Sequence, residues 1–151
     1  MAFGRPGLSL KGRALKYLAA REHSRVELLR KLGPHADSAE QLQAVLDDLE
    51  QKGLLSAERF AESVLHRKAA RYGTARLKAE LQQHRLPEDV AKAAIDTLKA
   101  TELDRARALW SRRFGEVAQT DQDKARQMRF LAGRGFSGEV IRQVIKGLPD
   151  D

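Results

Sequence analysis

The side chains that could do chemistry are present, but their spacing does not suit it. The four histidines, His23, His35, His66 and His84, fall in different predicted segments. None stands four residues from another or inside an HExxH pattern, the arrangement that brings two imidazoles to one metal. They read as surface or helix-terminal histidines. There is no cysteine, which removes thiolate nucleophiles, disulfides and Cys-ligated zinc together. The densest carboxylates are Asp47, Asp48 and Glu50, with Asp37 and Glu40 upstream. On a helix Asp47 and Asp48 point away from Leu46 and Leu49, which suits a solvated face rather than a sheltered acid–base pair. No glycine-rich phosphate cradle and no GxSxG turn occurs; the glycines sit singly at predicted helix ends. The expectation is a non-enzyme with no cofactor and no metal.

What remains is charge. Lys and Arg number 28 against 21 Asp and Glu, a formal net charge of +7, which favours a polyanion or an acidic protein surface as partner. The basic residues concentrate. Lys11, Arg13, Lys16, Arg21, Arg25, Arg30 and Lys31 load the first two predicted helices, and the stretch HRKAARYGTARLK from His66 to Lys78 is denser still. There Arg67 and Arg71 stand one helical turn apart and Gly73 ends the helix. Thr74 opens the next helix, whose free N–H groups favour an anion. Arg76 and Lys78 lie in that opening turn. Two readings stay open: a phosphate or partner carboxylate held by charge-assisted bonds, or Lys68 and Arg71 complementing the dipole of the helix they end. Trp110 and Phe114, four apart, fit a core pair better than a base-stacking platform. Tyr17 and Tyr72 fit packing residues with a wet hydroxyl.

The elements that must carry these charges are helices. Leu, Ala, Lys, Arg, Glu and Gln dominate, all good helix formers, and no run alternates as a strand would. The pattern predicts helices from about Ser9 to Arg21, with Leu15, Leu18 and Ala19 inward, and from Ser24 to Leu32, with Ser24 and Glu27 forming a capping box. Gly33-Pro34 stops the second. Ser38 caps a third helix to about Lys52, and Gly53 follows it. Ser56 caps a helix reaching Tyr72, and Thr74 caps a short one through Leu77 and Leu81. Pro87 opens another to about Lys99. Two more are expected at about Glu102 to Phe114 and Asp121 to Ala132, and Ser137 caps the last, ending near Gly147.

These helices repeat. The positions Val140, Ile141, Val144, Ile145 and Leu148 correspond, fifty residues earlier, to Val90, Ala91, Ala94, Ile95 and Leu98. About forty-nine earlier again they correspond to Gln41, Leu42, Val45, Leu46 and Leu49. All but Gln41 are apolar, at the spacing of one helical face. LQQHRLP (81–87) likewise faces LAGRGFS (131–137). A period near fifty with three short helices per unit predicts an all-α fold of three tandem three-helix repeats, elongated and curved. The expected divisions are a flexible lead-in at 1–8 and repeats at 9–55, 56–100 and 101–151.

Three segments resemble one family. ALKYLAAREHSRVELLRKL (14–32) resembles the opening of RecX regulatory proteins. VLDDLEQKGLLSAERFAESVLHRKAARYGTARLKAEL (45–81) is similar to their continuation, and FLAGRGFSGEVIRQVI (130–145) to their last repeat. The resemblance implies three three-helix repeats. It also implies a regulator that lies in the groove of the RecA–single-strand DNA filament, damps its ATPase and strand exchange, and limits its growth. Carried onto this chain, the most recognisable turn points to Arg59, Phe60, Arg67, Arg71, Gly73, Arg76 and Leu81, with Phe60, Gly73 and Leu81 structural. The candidate partner contacts are therefore Arg59, Arg67, Lys68, Arg71, Arg76 and Lys78, with Arg25 and Arg30 beside them.

Two other readings compete. One is sequence-independent binding of single- or double-stranded DNA, with the helices at 74–84 and 87–99 as a helix-turn-helix. Against it, Glu88 and Asp89 open the would-be recognition helix and repel phosphate. The other is a helical adaptor for an unrelated acidic partner. The first ten residues lack the apolar stretch of a signal peptide, and no window approaches the roughly 20 apolar residues of a membrane span. A soluble, cytoplasmic monomer is expected.

Overall fold

The computed structural model describes residues 7–147, which contain eight α-helices and no strand. Residues 1–6 of the expected lead-in and Leu148 of the repeated face lie outside them. The helices are α1 (Leu10–Ala20), α2 (Arg25–Leu32), α3 (Ala39–Gln51), α4 (Ala57–Lys68), α5 (Thr74–Gln82), α6 (Glu88–Arg113), α7 (Asp121–Gly133) and α8 (Gly138–Ile145). A single 3-10 turn, Gly33–His35, follows α2 where Pro34 ends the ladder. No helix among the described residues is long and apolar enough to cross a membrane.

The chain divides into two compact units, one holding the residues up to Phe60 with His84–Leu86, the other Ala61–Gln83 and the chain from Pro87 onward. In the first unit α1, α2 and α3 pack around Leu10, Ala14, Leu28, Leu32, Leu42, Leu46, Leu49 and Leu55. The inward face of α1 differs from expectation. Leu10 and Ala14 are buried, whereas Leu15 is 37% exposed and Ala19 is exposed. Positions 10 and 14 share a line along the helix and 15 and 19 lie about 100° further round, so the core takes one line and leaves the other.

The capping box is present: Ser24 Oγ accepts from the Glu27 N–H at 3.1 Å, and Glu27 Oε1 accepts from the Ser24 N–H at 3.1 Å. Arg21 holds the same carboxylate at 2.6 Å. Burial pushes the Glu27 carboxyl up, but the Arg21 hydrogen bonds, the Ser24 N–H and the Arg21 charge outweigh it and bring it down to about 2. Ser24 Oγ also pairs with Nδ1 of His84 at 2.6 Å, and the His84 ring lies 4.5 Å from that of Phe60. His23 is not a surface histidine. It is 1% exposed, with Nδ1 against the Arg21 carbonyl oxygen and Nε2 taking the Lys31 ammonium at 2.8 Å.

In the second unit α5 packs on α6, and α6, α7 and α8 form a triangle around Ala106, Leu109, Trp110, Leu131, Phe136, Ile141, Val144 and Ile145. Trp110 is core, its Nε1–H donating to Gln127 Oε1 at 2.9 Å. The two helices expected at 87–99 and 102–114 are one 26-residue helix. Nothing at Lys99, Ala100 or Thr101 breaks it. The Thr97 and Thr101 hydroxyls donate to the carbonyls of Ala93 and Thr97, four residues back, instead of capping a new start. Helix α4 ends at Lys68, four residues short of Tyr72, and Gly73, not Thr74, is the N-cap of α5.

Every described member of the repeated face is buried or half-buried. The register also accounts for a strained residue. Arg85 (φ 48), the only left-handed non-glycine among the described residues, falls opposite Gly135 (φ 92) when 81–87 is laid on 131–137.

Candidate partner interface at the Tyr72 turn

The basic stretch from His66 to Lys78 is folded around a turn. After α4 the chain passes through Ala69, Ala70, Arg71 and Tyr72, with the Tyr72 N–H on the Lys68 carbonyl at 3.1 Å, and then reaches Gly73. Gly73 donates its N–H to the Arg134 carbonyl at 2.7 Å. A Cβ on Gly73 would lie 2.3 Å from the Gly135 carbonyl carbon, and one on Gly135 would lie 2.5 Å from Arg76 Cβ. Both contacts are to main chain or to a Cβ, which cannot swing away, so this approach of two turns requires glycine on both sides.

Helix α6 fastens the turn from behind. Arg105 spends its five donors internally: Nε on Thr101 Oγ1 (2.9 Å), one terminal nitrogen on the carbonyls of Ala69 (2.8 Å) and Tyr72 (2.5 Å), the other on Leu98 O (2.8 Å) and Thr74 Oγ1 (3.2 Å). Burial pushes the Arg105 guanidinium down, opposed by the nearby Glu102 charge. Arg112 adds a bond to the Ala70 carbonyl at 3.3 Å. Glu102 is buried and accepts the Thr74 N–H at 2.7 Å. The first N–H of α5 is thus already taken by a carboxylate of the chain itself. This corrects the expectation of an open anion site at Thr74. The competing dipole reading divides: Arg71 donates to the Arg67 carbonyl in the last turn of α4 at 3.4 Å, Arg105 and Arg112 serve the carbonyls that follow, and Lys68 ion-pairs with Glu80.

The outer face of the turn carries the free charge. The Arg76 guanidinium lies 4.1 Å from the Tyr72 ring centroid, and those of Arg71 and Arg134 lie 5.5 Å from it. Arg134 also sits 5.0 Å from the Phe130 ring. Among the described residues no carboxylate pairs with any of these three arginines. Cation–π contact offsets part of their mutual repulsion. The rest, roughly 0.5 kcal/mol per pair in water-like surroundings and several-fold more where solvent is excluded, is left uncancelled. An open groove of about 450 Å³ is lined by Lys68, Arg71, Tyr72, Arg76, Ala79, Glu80 and Gln83.

The predicted contact residues therefore separate. Lys68, Arg71 and Arg76 line the groove; Arg67, with Nε on Ser63 Oγ at 3.3 Å, and the exposed Lys78 belong to the same unit. Arg25, Arg30 and Arg59 belong to the other unit. Arg25 is tied to Asp47 (2.7 Å) and Glu50 (3.0 Å), and Arg59 to Glu22 (2.9 Å) and the Gly53 carbonyl (2.7 Å), while Arg30 is exposed. Phe60 and Leu81 are buried. Sequence reasoning missed Arg134 as a member of the cluster and Arg105 as its anchor. The alignment of 131–137 on 81–87 marked the turn holding Arg134 as a repeated element, but gave no sign of its approach to Gly73.

Comparison with known proteins agrees with this architecture. Sequence models of the second and third three-helix domains of RecX match residues 58–95 and 100–145. The regulatory protein RecX of Leptothrix cholodnii is 56% identical over 97% of this chain and 93% of its own length. That of Ralstonia nicotianae is 52% identical over 97% and 92%, and that of Neisseria meningitidis serogroup B 34% identical over 97% and 95%. The crystal structure of RecX from Lactobacillus salivarius superposes with a TM-score of 0.73, covering 91% of this chain and 92% of that one at 18% identity, a likeness of fold. With its helical fold, its matched three-helix domains and relatives this similar over nearly its whole length, the chain belongs to the RecX family of regulatory proteins.

Proposed function

We propose that the chain binds the RecA–single-strand DNA filament and restrains it, lowering ATP hydrolysis, filament extension and strand exchange, with the Tyr72 turn as its contact surface. The observation that carries this reading is the set of three guanidiniums, Arg71, Arg76 and Arg134, gathered on one ring without a carboxylate partner among the described residues. Guanidinium groups held in this way are preorganised for carboxylate or phosphate oxygens, so little side-chain freedom is lost on contact. The regulatory character of the family supports the reading, and the turn is stiffened from behind by Arg105.

The test is single-strand-dependent ATP hydrolysis by RecA at fixed moderate salt, titrated with the chain. Inhibition well below equimolar protein is expected. A chain that is helical by circular dichroism yet inert at equimolar protein would overturn the proposal. Inhibition that survives R71E/R76E in a folded variant would move the contact elsewhere.

The same guanidiniums favour one second reading, direct and sequence-independent contact with DNA phosphates. It predicts a log–log salt slope of about −1.4 to −2.1 for binding to single-stranded DNA alone, about −0.7 for each of two or three arginine–phosphate contacts. Glu88 and Asp89, exposed in the first turn of α6, still argue against a helix-turn-helix mode.

A further inference from the structure

The second unit carries another concavity, built from other residues and with another chemistry. A groove of about 590 Å³ lies between the loop after α6, α7 and α8, within the roughly 300–1,000 Å³ of ordinary ligand sites. Its floor is apolar: Val117 and Ala118 from the loop, Met128 from α7, Ile145 from α8. Val117 is 44% exposed, one of few large apolar side chains left in water. It packs against Gly147, whose φ of +88 suits glycine and where a Cβ would meet Val117 Cγ2 at 2.8 Å. The rim is charged one way. Lys124 stands one turn before Met128, and Arg142 and Lys146 stand one turn apart on the α8 side. Among the described residues none of these three cations is ion-paired, and Glu139 is the only carboxylate in the lining.

Each feature selects among occupants. A phosphate backbone would use the cations but not the apolar floor, and the groove offers no aromatic face on which a base could stack. A bilayer is met by an apolar face laid into its surface, whereas this surface is hollow. A second copy would have to present acid beside an apolar anchor. The acidic face of α3 is engaged already, Asp47 and Glu50 by Arg25, Asp48 by Lys11 and Lys52. The exposed Glu88 and Asp89 have no exposed large apolar side chain near them in sequence. What fits is a segment that joins carboxylates to an apolar anchor, seated as an amphipathic helix or short extended stretch. Met128 adapts to the anchor, and the rim orients the segment and speeds its capture. The geometry points to this groove as a docking site for an acidic segment of a partner protein: Val117, Met128 and Ile145 receive its apolar anchor, and Lys124, Arg142 and Lys146 its carboxylates. This goes beyond the regulatory reading and does not depend on it.

Fluorescence anisotropy with the full chain tests the site. The probe is a short fluorescein-labelled peptide with Leu at positions i and i+4 in an Asp/Glu background; its control has both Leu replaced by Ser. The Leu peptide is expected to bind at least about tenfold more tightly than the Ser peptide, a difference of 1.4 kcal/mol, and to shift the Met128 methyl resonance. R142E/K146E should abolish binding with helicity unchanged, and Val117→Ser should weaken it several-fold. Equal binding of the two peptides, no saturation up to about 1 mM, or full binding by R142E/K146E would each overturn the assignment. Self-association lost in R142E/K146E would hand the groove to a second copy, and tighter peptide binding after removal of residues 148–151 would hand it to the chain's own end; either result also overturns it. The R71E/R76E variant keeps the two surfaces apart: it should lose action on RecA while binding the peptide within about twofold of the unaltered chain.

Discussion

The arginines of the two units have opposite company. In the first unit three of them are spent on carboxylates: Arg21 on Glu27, Arg25 on Asp47 and Glu50, Arg59 on Glu22. In the second they meet carbonyl oxygens and aromatic rings. Arg105 and Arg112 hold the main chain after α4, and Arg71, Arg76 and Arg134 crowd one tyrosine. A carbonyl or a ring satisfies geometry without cancelling charge, whereas a carboxylate cancels it. The first unit thus carries part of its basic character as internal ties, and the second leaves more of its own uncancelled.

The sharpest way to break this contrast is to remove the anchor. Arg105→Ala strips partners from three carbonyls and two hydroxyls at once, and half-buried acceptors left without donors are costly. A loss of about 3 kcal/mol is expected, or roughly 6–12 °C in Tm for a chain of this size. Thermal unfolding checks it, and Arg105→Lys should recover only a fraction, since an ammonium cannot span the same acceptors.

Next comes the pH dependence of the first unit's most buried ion pair. The Glu27 carboxyl lies at about 2 when folded, against 4.5 when free. A depressed carboxylate contributes stability that is fully present above its unfolded pKa and lost as pH falls from about 4.5 through about 2. Because Arg21 is 40% exposed, solvent screens the pair, and the contribution is on the order of 2 kcal/mol. Urea midpoints measured between pH 6 and pH 2 should fall more steeply for the native chain than for Glu27→Gln.

Reversing the free charges separates binding from folding. R71E/R76E should weaken RecA inhibition at least about tenfold, 1.4 kcal/mol, yet leave the urea midpoint within the ±0.5 kcal/mol typical of surface changes. A large loss of stability instead would show the cluster to be a structural tie like those of the first unit. The smallest effect belongs to Arg25→Ala, which breaks exposed pairs to Asp47 and Glu50: less than about 1 kcal/mol, and no change in RecA inhibition. A loss of inhibition there would erase the contrast between the units.

The features legible in the sequence were those made by neighbours along the chain. Ser24 with Glu27, Ser38, Ser56 and Ser137 each bond an N–H three residues on, and a side chain reaching one turn ahead needs no knowledge of the rest of the fold. The repeated apolar face was legible for a related reason, since periodicity records which side of a helix meets the core without naming what it meets. Less local features were not legible. The helix break expected at the join between the second and third predicted repeats is absent: no residue there stops a helix, and α6 runs through.

The site itself was legible only as a concentration of charge. Composition determined that the chain is basic and helical, and spacing placed Arg71 and Arg76 on either side of a glycine. Tertiary structure decided which charges stay free. It set Glu102 on the N–H of Thr74, 28 residues away, and brought Arg134 to a turn 63 residues earlier through two glycines that permit backbone contact. It also gave Arg25 and Arg59 carboxylates while leaving Arg71 and Arg76 none among the described residues. The reason is physical: an arginine's role depends on the acceptors within about 4 Å of its guanidinium, and at distant positions along the chain only the folded packing supplies them.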